Sequence, residues 1–284
     1  MEIIGVDFSG AKSDQHTWLA RGFLDNGALE LCDCRPISRA QLTGLLAGLP
    51  DEAVAALDFP FSVPLSFARF WKPEAVTMPD LWAAAAAMEL EEFIALRDEF
   101  VAQNGELKRR ADTYHSECYS CLHKANPNLV PMTFRGMQML DRLWATGCPG
   151  PINVPPLAPP QGWRAVLLEA MPGAALKALR LPYKGYKNGA RALPLRQKVL
   201  DGLTSFPLVR LENLERFRNL CLSHHDVLDA VVAAVVAALW ASDPGLFRCP
   251  PPERSEGFDP EVLLEGWLYA PVFLTTKDER RSKA

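Results

Sequence analysis

The sequence predicts an α/β domain. Its sheet is mixed, an antiparallel three-strand meander plus parallel strands, flanked by helices and interrupted by a mostly helical insertion. Three observations lead there. Short apolar runs divided by a hairpin signal open the chain. Two later apolar runs each end in an acid, with a helical and proline-rich stretch between them. Near the C-terminus, His224 to Ala241 reads as a helix apolar on nearly all sides, which marks a buried helix.

The elements follow in order. Ile3, Ile4, Val6 and Phe8 make a strand over Glu2–Phe8, ended by Ser9-Gly10-Ala11, with Asp7 near its end. His16–Phe23 is the second strand, Asn26-Gly27 supplies the turn, and Ala28–Cys34 is the third. Ser38 caps a short helix, Arg39–Leu46. Ala53–Leu57 is the fourth strand, ending in Asp58, and Pro60 forbids its continuation. Residues 60–160 form the insertion, within a single domain of 284 residues. It holds one long helix from Asp80 to the Asn104-Gly105 stop, a second helix over Thr133–Leu143, and an extended connector from Pro149 to Pro160. Arg164–Met171 returns to strand character and carries Glu169. Glu265–Tyr269 reads as a late edge strand and Lys277–Ala284 as a disordered charged tail.

The composition, 49% hydrophobic and 23% charged, is that of a soluble globular protein. The net charge of −4 gives no global attraction for nucleic acid, so polyanion binding requires a local patch. The start, MEIIGVD, lacks a signal core, and the late apolar helix reads as too short to span a bilayer. The expectation is a cytoplasmic protein with no membrane partner. Seven irregularly spaced cysteines make no disulfide framework. His115, Cys118, Cys121 and His123 are zinc-ligand types, but they crowd together and no second pair follows. Reduced cysteines are expected, with zinc the open alternative.

Asp7, Asp58 and Glu169 each close a strand, and sites in α/β sheets form beyond the carboxyl ends of strands. Asp226 and Asp229 share a face in the first turn of the late helix. Five acids at one rim would suit magnesium or manganese, which take hard oxygen ligands. Paired ions of this kind cleave phosphodiesters. Between Glu169 and Asp201 there is no acid, while Lys184, Lys187 and Arg191 lie there with Tyr183 and Tyr186. This is the most polyanion-friendly stretch, its cations placed to hold phosphates and its tyrosines to stack on bases.

The segments GVDFSGAK, LDFPFSVP, LLEAMPGAALKALRLPYKGYK and HHDVLDAVVAAVVAA follow one another in the order seen in an uncharacterised bacterial family of predicted nucleases with a ribonuclease-H-like fold. The resemblance runs from residue 1 to about residue 270. The acid order also resembles that of Holliday-junction resolvases. It implies a ribonuclease-H-like domain, metal ligands at Asp7, Asp58, Asp226 and Asp229, and DNA or RNA as partner. Here Asp replaces the resolvase Glu at the fourth strand, Glu169 is added as ligand or base, and the 60–160 insertion is extra.

Two other functions fit the residues. Asp7 with Ser9-Gly10-Ala11-Lys12 is compatible with the phosphate-cradling hairpin of actin- and sugar-kinase-like phosphotransferases, in which Lys12 would contact substrate. Those proteins usually need two copies of the core, and one is visible here. A non-catalytic module binding nucleic acid or protein on the same fold is the other.

Overall fold

The computed structural model describes residues 1–145, 152–253 and 255–272. Within them the chain is an α/β protein with a six-stranded mixed sheet ordered β5-β4-β1-β2-β3-β6 and helices on both faces. Strands β1 (Glu2–Asp7), β2 (Thr17–Asp25) and β3 (Ala28–Ile37) form the antiparallel meander, and Asn26 and Gly27 take positive φ at its turn. Strand β3 runs past the expected Cys34, through Pro36. The missing N–H costs little there, because β3 meets its second neighbour only at Ala28–Glu30. Helix α1 (Arg39–Ala47) begins at Ser38, whose hydroxyl accepts from Gln41 N–H at 3.2 Å. Strand β4 (Ala53–Asp58) then pairs parallel to β1.

The inserted region is helical but divides more finely than the sequence predicts. It contains α2 (Leu65–Trp71), α3 (Met78–Ala86), α4 (Leu90–Asn104), α5 (Arg110–Thr113) and α6 (Leu129–Ala145). The single helix expected from Asp80 to Asn104 is broken at Ala87–Glu89. The Glu92 carboxylate accepts from Glu89 N–H at 3.1 Å, so a fresh helix start replaces continuation. Part of the Pro149–Pro160 connector and the whole Lys277–Ala284 tail lie outside the described residues.

Strand β5 (Ala165–Glu169) pairs parallel to β4. Helices α7 (Pro172–Ala178) and α8 (Ala192–Thr204), strand β6 (Arg210–Glu212), and helices α9 (Leu214–Ser223) and α10 (His225–Ser242) follow. The late edge strand is a correction. Val262–Glu265 is a short helix, α11, and in place of a late strand a bridge joins Leu268 to Glu169, with Tyr269 N–H donating to Glu169 O at 2.9 Å.

The pleat sorts the strands between two cores. Ile3, Val54, Ala56, Val166 and Leu168 face α7 to α10. Ile4, Val6, Ala55, Leu57 and Leu167 face α1 and the inserted helices, packing with Leu42, Phe67, Trp82, Phe93 and Leu140. Helix α10 lies against β1, β2 and β4. Its 18 residues do reach the length and hydropathy of a membrane span, contrary to the expectation from length, but 72% of that window is buried inside the protein.

Candidate functional site

Asp7 and Asp58 stand side by side as register partners on β1 and β4, so the pleat points both toward α10. What lets α10 come close is Gly5. A Cβ there would lie 2.1 Å from both Ala230 O and Ala234 N, so only glycine permits this approach of helix to strand. The contact places Asp229, one residue before Ala230, over the strand ends. Carboxylate oxygens of Asp7, Asp58 and Asp229 all lie within 4.8 Å of one another. They come from three elements spread over more than 200 positions.

Asp229 is completely buried, while Asp7 and Asp58 are half-buried. Burial, then Asp229 and Asp58, push the Asp7 carboxyl well above the usual range. Burial also raises Asp58. Lys187 works against the rise and Asp229 adds to it, leaving the group at about 7. Asp7, the register partner of Asp58, pulls the other way and favours its ionised form. Three acids held together in this way share protons or need a cation.

Part of that cation is internal. The loop between α7 and α8 sends Lys187 Nζ to 2.7 Å from Asp229 Oδ2, and Tyr186 Oη donates to Asp229 Oδ1 at 2.7 Å. Burial of the ammonium opposes its charge, but Asp229, Asp58 and Asp7 outweigh it and hold Lys187 protonated. Burial and Asp229 push the Tyr186 phenol far above its ordinary range, so it stays a donor. The contact from Lys187 is a short ion pair to Oδ2, made by a side chain that is 48% exposed. Asp7, Asp58 and Asp229 could therefore hold a metal ion. They offer hard oxygen donors and crowded negative charge.

The other expected site residues lie elsewhere. Glu169 pairs in register with Leu57, one position off Asp58, so it faces the opposite side of the sheet. There Arg109 takes both of its oxygens, at 2.7 Å from Nη1 to Oε2 and through a short Nη2–Oε1 contact, and Phe61 N–H donates to Oε2 at 2.8 Å. Asp112 completes the cluster, 3.0 and 2.8 Å from Arg109 Nε and Nη2. Burial raises the Glu169 carboxyl even against Arg109, yet with both oxygens facing guanidinium nitrogens the pair is ionised. Glu169 is thus spent in an ion pair and is not available as ligand or base. Asp226 lies at the edge, outside the group of three, with Oδ1 2.6 Å from His225 Nδ1. Burial alone would raise it, but His225 outweighs that and holds it low.

Among the basic residues, Lys187 and Tyr186 turn inward to Asp229. That corrects their expected roles on phosphate and base. Lys184 is exposed with its ammonium 5.4 Å from the Tyr183 ring, and Lys12 and Arg191 are exposed. His224 stacks on Trp18 at 5.6 Å. The zinc alternative finds no support among the described residues. His123 pairs with Glu106, His115 Nδ1 lies 3.8 Å from Glu117, Cys118 Sγ lies 3.0 Å from Met171 Sδ, and the four do not converge. Tyr186 as a partner of Asp229 had no signal in the sequence beyond its place in the basic loop.

No curated protein and no solved structure matches the chain. Residues 152–256, which carry β5, the loop of Lys187 and the whole of α10, match the family model described as a protein of unknown function, DUF429.

Proposed function

We propose that this protein is a metal-dependent nuclease with a ribonuclease-H-like fold, hydrolysing phosphodiester bonds of DNA or RNA. One observation carries the reading: Asp7, Asp58 and Asp229 converge to within 4.8 Å at the carboxyl ends of two neighbouring parallel strands. An antiparallel meander continued by parallel strands, closed by a helix that delivers the last acid, agrees with the fold that the sequence resemblance implies. Magnesium or manganese held by these three carboxylates would supply Lewis-acid stabilisation of the charge that develops on the phosphoryl group. The chain's own residues do the rest. Tyr186 fixes Asp229 Oδ1 by donation, and Gly5 sets the height of Asp229 above the strand ends. Lys187 neutralises the cluster until a cation replaces it.

The test is incubation of purified protein with single-stranded, duplex and branched DNA and RNA in manganese or magnesium. Cleavage is expected, and Asp7→Asn should reduce it by on the order of 100-fold or more. Intact substrates throughout, or an Asp7→Asn protein as active as the parent, would falsify the reading. The Lys187–Asp229 contact favours one second reading, a non-catalytic module whose acids are permanently paired. It predicts a melting temperature indifferent to both metals, since a ligand bound only by the folded state must raise it.

A further inference from the structure

A cleft of about 220 Å³ lies between α1 and α6, lined by Arg39, Thr43, Arg135, Gln138, Met139 and Arg142. The helical period builds it. Arg135, Gln138, Met139 and Arg142 fall at i, i+3, i+4 and i+7 on α6, and Arg39 and Thr43 at i, i+4 on α1. The cleft borders the loop that follows Asp7. Arg39 Nη1 donates to Ser9 O at 3.2 Å and Ala11 O at 2.9 Å, and Arg135 Nη1 donates to Gly10 O. Helix α1 also starts just after β3, whose end lies at the same rim as Asp7, because Thr17 pairs with Ile37 and Trp18 with Asp7.

Cations dominate this cleft. Asp14 is the acid facing Arg39, 3.5 Å from Nη1, and its two oxygens also accept from Arg39 N–H at 2.9 Å. Asp141 lies in the field of Arg142. Arg39 and Arg135 repel each other, and burial together with that repulsion makes the Arg39 charge harder to hold despite Asp14. An anion would relieve it. The named bonds of Arg39 and Arg135 fall on Nη1 alone, so each five-donor fork keeps donors for a ligand. Thr43 and Gln138 are already committed, the hydroxyl donating to Arg39 O at 2.8 Å and the amide to Ala85 O at 3.0 Å, so it is the two planar forks that suit the several oxygens of a phosphate better than a single carboxylate.

We propose that this cleft is a phosphate-binding subsite in which Arg39 and Arg135, with Arg142 beside them, hold a backbone phosphate of a nucleic acid lying across the acidic rim. The subsite rests on the nuclease reading for its ligand, and it supplies the local cationic patch that a protein of net charge −4 needs.

The experiment measures binding of short labelled single-stranded DNA and RNA to the full-length protein in EDTA, across a salt series. Inorganic phosphate and ATP are tested separately by thermal shift. Arg135→Gln is expected to weaken oligonucleotide binding by roughly tenfold and to reduce the slope of log affinity against log salt by about 1. Arg135→Lys should keep most of the slope while losing part of the affinity. A merely structural role would lower the melting temperature and leave the slope alone. Should Arg135→Gln fail to fold, the exposed Arg142→Gln takes its place. Oligonucleotide binding that both variants leave unchanged overturns the subsite and spares the nuclease reading. Stabilisation by phosphate or ATP that Arg135→Gln abolishes, with no oligonucleotide bound, overturns the nucleic-acid ligand proposed for the subsite. Binding of none of these probes overturns the subsite, while the nuclease reading is decided separately by the cleavage assay in metal.

Discussion

At Asp58, burial and the nearby Asp229 outweigh Lys187 and hold the carboxyl at about 7. In the unfolded chain the same group returns to the usual carboxylate value. Between about pH 4 and pH 7 the folded protein therefore binds more protons than the unfolded one, and stability falls as pH rises through that window. Asp7, raised for the same reasons, adds to the slope. The wild-type melting temperature should accordingly decline from pH 5 to pH 7.5 relative to Asp58→Asn, measured by calorimetry without metal. Parallel profiles would contradict it. Manganese should recover the loss at the upper end, because it needs ionised ligands. At this scale the sequence was legible where an acid closes an apolar run, as at Asp7 and Asp58, and where one opens the buried helix, as at Asp229. It was not legible for Glu169. A one-residue offset in pairing sends a side chain through the sheet, and no feature of the isolated strand fixes its register. Asp226 sits beside the group of three rather than within it for a related reason. Three residues along a helix share a face only broadly, and His225 offered it a closer partner.

Helix α10 on strand β1 is the element pair that makes the site. Gly5→Val would drive side-chain carbons into the backbone of Ala230 and Ala234. Overpacking there is expected to destabilise the protein by about 3 kcal/mol and, in any fraction that folds, to lift Asp229 away from Asp7. Chemical denaturation gives the first effect and loss of a manganese-induced rise in melting temperature the second. A Gly5→Val protein of normal stability would refute the close approach. The meander, α1, β4, β5 and α10 were all readable, since hairpin chemistry, a Ser cap and runs of apolar residues are local signals. Strand β6 was not. It has three residues, Arg210–Glu212, two of them charged and exposed, and exists because β3 offers an open edge. The break between α3 and α4 has no sequence signal, because the alanine run before it and the Leu- and Glu-rich stretch after it both have high helix propensity.

Across the whole molecule, inserted and flanking sequence are tied into one unit. The core behind the sheet joins Ile4, Leu57 and Leu167 to Phe67, Trp82 and Leu140. Arg109, from the inserted region, carries a buried network to Glu169 on β5, and Glu265 accepts from Leu65 N–H at 2.7 Å and Arg110 N–H at 3.0 Å at the starts of α2 and α5. Removing one partner from a buried pair leaves a charge without compensation, so Arg109→Met should cost about 3–5 kcal/mol. Fluorescence and circular dichroism should still report a single shared unfolding transition. Two separated transitions would mean that the insertion folds by itself. This dependence is invisible in the sequence, where Lys108-Arg109-Arg110 is a run of three basic residues with Asp112 beside it. Only long-range packing shows that its middle member is 2% exposed.

Lys187 has its stem in water, 48% exposed, and its tip locked against Asp229. A protease that must swallow the whole side chain is shut out by that grip, while neighbouring Lys184 stands open. An ion that takes over the aspartate's charge would release the lysine. Trypsin nicking after residue 187, scaled to nicking after 184, should then climb with added manganese, a gauge of occupancy that works before any substrate is known.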